Sequence, residues 1–501
     1  MREAEPRPQW PSRRTRTRRR RLALVVTAAL LLQAQTAAAN PWSSPVALPG
    51  CGSIGPPLVA FPSAAPTLRS GTGAILWQGN AGACTSALVL APLSTDDLAR
   101  SPRVLHTSSG APVGLSGSLV SATTGRGRIV VAGDVGTVTE GEAGGAFARP
   151  QSLGGGPPLA AASSYLGDVA LASVVHTHSG ASAAITLRIQ RHSSDQLIAP
   201  RTIHAVGRRI SALAVTLDYR GDVLVAWQAR MSIYATVLHA SGKLDAVQRV
   251  GASGPNAQLQ ALVSDDGRGI VAWASTRHAS TSIYLNISAP ALRFGPPLRL
   301  ETFRPPAGVR LTAGSLRLTR LATESVIMAW TGMSDRHLAV RITPVLLGGP
   351  RPPATVSDPH TDAVLADLQP GPDGEVLALW TAGARRARSA QIVAARGFVA
   401  RGGHAAFRPS ETIAIATASA DPSVAIDPGN DRALVAWRGS APDHAVLFSA
   451  RMPGPGMPYK PRRLARAPAQ APAGHRNWLL AVVAALALAA AAALVYLRRR
   501  R

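Results

Sequence analysis

Six tryptophans hold one place in a recurring phrase. Trp227, Trp273 and Trp380 close the runs Gly221-Asp-Val-Leu-Val-Ala-Trp, Gly267-Arg-Gly-Ile-Val-Ala-Trp and Gly374-Glu-Val-Leu-Ala-Leu-Trp. Trp330 and Trp437 close copies that begin at Glu324 and Asp431, and Trp77 closes an early one from Gly71. A row of indoles could stack sugar rings. These indoles end apolar runs, however, and recur at one strand position, which is what packing between sheets requires.

Other residue types could also do chemistry. His176-Thr-His178 puts two imidazoles on one strand face, a zinc-compatible spacing, but no third ligand lies nearby. The acidic turns Asp265-Asp266, Asp373-Gly374-Glu375 and Asp427 to Asp431 lack the alternating oxygens of a calcium loop and read as hairpin chemistry. A carboxylate pair, or a Tyr/Glu nucleophile pair, would have to be assembled from Glu140, Glu142, Glu301, Glu324, Glu375, Glu411 and the few tyrosines. No spacing points to one. Tyr234 and Tyr284 occupy equivalent strand positions and read as structural. Asn286-Ile-Ser288 is a formal glycosylation sequon inside an expected strand. No motif implies a cofactor or a metal.

The elements around the tryptophans set the architecture. Residues 257 to 300 break into four short apolar runs separated by tight turns, and residues 214 to 238 repeat the order. The last run, Phe294-Gly-Pro-Pro-Leu-Arg-Leu300, carries prolines that suit an outer edge strand. Val223 to Trp227 is apolar on both faces, so its sheet must be covered on both sides. Copies start at 71, 127, 167, 221, 267, 324, 374 and 431, about 51 residues apart, and those at 127 and 167 lack the tryptophan. The expectation is an all-β fold, a β-propeller of seven or eight four-stranded blades over residues 40–460. Tandem β-sandwiches would need about twice the length per unit.

The order Asp, turn, Gly, apolar strand, Trp resembles repeats of exported bacterial β-propellers of the sialidase-like type. The diagnostic box of that superfamily, Ser-x-Asp-x-Gly-x-x-Trp, is absent, since Ser264-Asp265-Asp266-Gly267 places its glycine one residue early and Trp273 two residues late. The resemblance implies an extracytoplasmic propeller and offers a glycan-acting hydrolase or lyase as the alternative to a binding module.

The ends of the chain carry targeting signals. Arg13 to Arg21, the apolar run Leu22 to Leu32 and Ala37-Ala38-Ala39 read as a signal peptide over 1–39, with Asn40 as the mature N-terminus. Residues 478–497 are uncharged and long enough to cross a bilayer, with Trp478 and Tyr496 at the headgroup levels. Arg498, Arg499, Arg500 and Arg501 form a cytoplasmic tail by the positive-inside rule. Residues 461–477, rich in Pro, Ala and Arg, read as a linker. The expected topology is a single-pass membrane protein with its ring outside the cytoplasm. In that compartment Cys51 and Cys84 are expected to pair, closing a loop worth about 3 kcal/mol.

Formal charge is +26 for the chain and about +15 for residues 40–497. The two lysines, Lys243 and Lys460, stand against 51 arginines, the codon habit of a GC-rich bacterial genome. A basic surface concentrates polyanions, yet an arginine excess of this codon origin is no evidence of function; the expected partner is an anionic envelope polymer or a surface protein. Export and the scarcity of aromatics among the arginines exclude nucleic acid. The sequence therefore favours a binding or scaffold module over an enzyme.

Overall fold

In the computed structural model the described residues lie between Trp42 and Arg451, several connections excepted, the longest being 106–118. The signal peptide, the linker, the 478–497 span, the arginine tail, Cys51, Cys84 and His178 lie outside them. Among the described residues no helix is long and apolar enough to cross a membrane.

Eight antiparallel sheets follow one another along the chain. Blade 4 is representative: Ile210–Leu217 lies innermost, then Val223–Ala229, Ser232–Leu238 and the outer strand Gln248–Ala252. The other inner strands are Leu58–Ala60, Leu119–Thr123, Gly156–Ser163, Gln258–Val263, Leu316–Arg320, Ala363–Pro370 and Ser423–Ile426. Each touches the inner strand of the next blade, and Ser423–Ile426 touches Leu58–Ala60. The ring is closed. Seven or eight expected blades become eight.

The second strand of each blade explains the stacking. Ala74–Gln78, Ile129–Gly133 and Val223–Ala229 are buried at every residue. Alternate side chains leave such a strand in opposite directions, so a neighbouring sheet must cover each face. The six tryptophans are the largest fully buried side chains. Each packs into the blade before its own: Trp227 with Val174 and Ile185, Trp273 with Leu224 and Ala226, Trp330 with Ala272 and Leu285, Trp437 with Leu377 and Leu379. Trp77 of blade 1 packs with Leu434 and Phe448 of blade 8, so the same contact seals the ring. Tyr234 and Tyr284 lie stacked on Trp227 and Trp273, with ring centroids 6.0 and 5.2 Å apart. Two indoles also reach the outer strand of the preceding blade. Trp273 Nε1 donates to Ala252 O (3.1 Å) and Trp330 Nε1 to Glu301 Oε2 (2.6 Å). The tryptophans are core, as expected.

Blades 2 and 3 put Gly133 and Ser173 at the tryptophan position. In blade 3 backbone rather than a large side chain meets Ser173. A Cβ on Gly155 would run into Ser173 Oγ and Val174 O, and one on Gly136 would overlap Gly155 O. Gly136 and Gly154 also take left-handed φ values of +69° and +81°. Glycine lets backbone approach this closely.

The outer strands share a second repeat: an apolar anchor, a turn residue three positions on and another apolar anchor six on. It reads Phe147-x-x-Pro150-x-x-Leu153 in blade 2, Leu197-x-x-Pro200-x-x-Ile203 in blade 3 and Phe294-x-x-Pro297-x-x-Leu300 in blade 5. Proline cannot donate to the ladder, so the strand bulges there. The residue after the first anchor bonds back to the third strand through its amide, as Ala148 N to Glu140 O (2.8 Å) and Asp245 N to Val237 O (2.9 Å). Its carbonyl takes a bond from a buried side chain of that strand: Thr139, Thr236, Asn286 and Thr343 donate to Ala148, Asp245, Gly295 and Arg351.

Blade 8 lacks an outer strand of its own, and the N-terminal segment supplies it. Trp42-Ser-Ser-Pro45-Val-Ala-Leu48 has the same pattern. Val46–Ala47 pairs with Phe448 and Leu447 of the third strand, Val446–Arg451. Leu48 N donates to Val446 O (2.8 Å), and Ser449 Oγ donates to Ser43 O (2.6 Å) in the place of the threonines. Trp42 Nε1 reaches Glu411 of blade 7 (2.9 Å).

Two substitutions test this packing by urea unfolding. Trp330→Ala should lower stability by about 3–5 kcal/mol through the cavity it leaves. Ser449→Ala should cost about 1–3 kcal/mol by orphaning the Ser43 carbonyl.

Candidate ligand-binding face

The ring has two unlike faces. In blades 2 to 5 the first and second strands are joined on one of them, the turn face, by tight turns with a recurring build. The capping residue is Thr124, Ser164, Asp218 or Ser264, and the glycine three positions on bonds to its carbonyl. Gly127, Gly167, Gly221 and Gly267 take φ values from +78° to +87°, where a side chain would be strained. The side-chain oxygens of Thr124, Ser164 and Asp218 accept backbone N–H groups of their turns, as Asp218 Oδ1 does from Arg220 (2.9 Å) and Asp222 (2.8 Å), while Ser264 Oγ donates to Asp266 and to Arg268 O. Burial pushes the Asp218 carboxyl above its ordinary pKa, against the lowering effect of those amides. Of the acidic turns of the sequence, Asp266 accepts from Ser264 and from the Arg268 amide within its own hairpin, whereas Asp265, Asp373 and Asp431 lie outside the described residues.

Several charges on the turn face are paired, while the exposed Arg220 donates to Tyr219 Oη (2.9 Å). Arg128 meets Glu140 (3.1 Å), Arg268 meets Asp266 (2.8 Å) and Glu375 meets Arg396 (2.9 Å). Asp168 is buried and accepts from the His192 amide (2.6 Å) and ring Nδ1 (2.8 Å), with Arg191 at 3.5 Å. His239 sits between two carboxylates, Asp222 at 3.1 Å and Asp245 at 2.9 Å. Burial lowers its pKa, but hydrogen bonds to both carboxylates outweigh that and hold it above the ordinary imidazole value.

The inner wall is small and mostly uncharged. Ala160, Ala161, Ala162, Ala212 and Ala261 line blades 3 to 5, and Asp367 is the one carboxylate in the eight inner strands. Asp367 Oδ1 takes Arg317 Nε (3.1 Å) and Leu368 N (2.9 Å), and Oδ2 takes Val424 N of blade 8 (3.2 Å). Ser423 Oγ accepts from Val59 N (3.2 Å) and Ser163 Oγ from Thr123 N (2.9 Å). The polar groups at the axis thus stitch blade to blade.

The opposite, loop face holds the hairpins that follow the tryptophans and the connections from one blade to the next. Three successive hairpins have two-residue loops: Arg230-Met231 in blade 4, His278-Ala279 in blade 5 and Asp335-Arg336 in blade 6. Arg230, His278, Ala279 and Asp335 take left-handed φ values of 50° to 61°. Arg209, Arg230, Arg277 and Arg304 are all exposed on this face, and none has an ion-pair partner among the described residues. Nearby carboxylates are engaged: Glu301 with Trp330 and Met333 N, and Asp362 with Leu338 N (2.8 Å) and His337 (3.5 Å). Asp358, farther round at blade 6, accepts from the His360 amide, which holds its pKa below the ordinary range.

On the ring's outer side, a cavity of about 330 Å³ lies between blades 5 and 6, lined by Asn286, Ser288, Leu298, Gly349 and Pro350 among others. Asn286 is 3% exposed, and its amide donates to Val250 O (2.8 Å) and Gly295 O (2.7 Å), so the sequon is structural. His176 ends the second strand of blade 3. Among the described residues no group of three metal-binding side chains comes together.

No family model matches the chain, and no curated protein matches it. Among solved structures, the Dos1 propeller superposes with a TM-score of 0.50 at 11% identity, over 82% of this chain and 95% of that one. A polysaccharide lyase described as an ulvan lyase, bound to -[GlcA(1-4)Rha3S]-, superposes with a TM-score of 0.41 at 12% identity, over 81% and 95%. At such identities the likeness to Dos1 speaks for the fold alone. The chain is a β-propeller.

His239 gives a pH test. Its folded pKa lies above the unfolded value of about 6.5, so its contribution to stability is complete below that pH and is lost as pH rises through the folded pKa. His239→Gln should therefore narrow its stability gap to wild type as pH rises from about 6 to 9. Urea midpoints across that range provide the measurement.

Proposed function

We propose that the protein is a binding or scaffold module, a rigid ring held outside the cytoplasm by a single C-terminal membrane span. Its partner is an envelope polymer or another surface protein. The observation that carries this is the difference between the faces. Short capped turns and ion pairs fix one face, while the connections between blades gather on the other. Rigid scaffolds present variable loops in this way.

Chain direction supports the same reading. Trp42 enters blade 8 and Arg451 leaves it at the turn face, because the outer strand runs from that face and the third strand runs to it. Both described ends of the ring therefore lie on the turn face. The signal peptide and the 478–497 span supply the address. A hydrolase or lyase would need carboxylates free to act at the axis, and Asp367 is committed to Arg317 and to backbone amides.

Cell fractionation tests this. The protein should stay with membranes through an alkaline wash, begin at Asn40 and be cut by protease added to intact cells. Recovery from the cytosol with its first 39 residues intact would overturn the proposal.

A further inference from the structure

We propose that the loop face of blades 4 to 6 binds an extended polyanion, an envelope polymer whose repeats carry carboxylate or phosphate groups. This rests on the binding-module reading and adds the site and the ligand chemistry.

Three observations support it. First, Arg230, Arg277, Arg209 and Arg304 reach one face from four separate connections, all exposed and without ion-pair partners among the described residues. On the turn face Arg128, Arg268 and Arg396 meet carboxylates, and Arg220 lies against the Tyr219 ring. Unpaired guanidinium groups offer forked donors that match carboxylate and phosphate oxygens.

Second, Arg230 and His278 occupy left-handed positions in two-residue hairpins. Asparagine or glycine suits such positions, and a longer side chain there is strained by about 1 kcal/mol or more. Strain of this kind persists where a side chain is needed for function. The fold gains nothing visible from either side chain.

Third, the cationic hairpins lie on consecutive blades. Arg230, then Arg277 with His278, then Arg336 repeat around the ring, and Asp335 is the one exposed carboxylate in those hairpins. A row of charges on separate blades matches a ligand with repeating charges better than a single small anion.

The test uses the full chain in phosphatidylcholine nanodiscs. Soluble polygalacturonate and long-chain polyphosphate are the probes, neutral dextran the control and phosphatidylglycerol vesicles the lipid arm. At least one polyanion should bind, dextran should not, and binding should weaken with added NaCl. Arg230→Gln with Arg277→Gln should lower affinity about tenfold, whereas Arg149→Gln with Arg408→Gln, which removes equal charge from outer strands, should change it less than about twofold. Equal losses in the two pairs, no polyanion binding, or capture by the vesicles in preference to both polymers would overturn the proposal. Unchanged melting of both variants confirms that each is folded. Failure here with the protein outside the cell removes the site and leaves the module; a cytosolic protein removes the module whatever the polymers do.

Discussion

A strand that is apolar on both sides cannot sit at the surface of a sheet stack. Every second strand in this chain is of that kind, so every sheet needs a neighbour on each side. A linear stack would leave two faces bare. Only a ring satisfies all eight, and the tryptophans show how: each fills the gap toward the blade before it, with Trp77 filling the gap between the first blade and the last. The six indoles are one solution to one geometric problem. Blade 3 solves it with glycine backbone instead, Gly155 lying against Ser173 and Val174.

Closure imposes a second requirement. The last blade comes out one strand short, and the segment completing it lies at the other end of the ring sequence. Ser43 and Ser449 meet across 406 residues. The segment is accepted because it carries the outer-strand pattern, with Trp42 and Leu48 as anchors, Pro45 at the bulge and a buried hydroxyl waiting for its orphan carbonyl. Contacts of such sequence separation form late and hold the ends together once formed.

What could be read from the sequence was local. The Asp/Ser-turn-Gly-strand-Trp phrase spans one hairpin, so turn chemistry, strand periodicity and the role of the tryptophans were all visible in it. Blade count stayed open because Gly133 and Ser173 stand where tryptophan was expected, and nothing in a sequence says that Gly155 will lie against Ser173. The closing strand was missed although Trp42-x-x-Pro45-x-x-Leu48 matches Phe147-x-x-Pro150-x-x-Leu153, since its partner is non-local. The basic face was invisible for another reason. Arg209, Arg230, Arg277 and Arg304 are four among 51 arginines, and only the direction of each strand sorts them onto one side.

Ring closure by the N-terminal segment is the claim on which the rest stands, and a cross-link tests it directly. Ser43 Oγ and Ser449 Oγ lie 3.4 Å apart, a separation compatible with a disulfide between cysteines at those positions. With Ser43→Cys and Ser449→Cys introduced together, mild oxidation should add to the digest a linked peptide pair joining positions 43 and 449 within a monomer. Cysteines that both remain free to alkylate, or that link only between molecules, would contradict the closed ring described here.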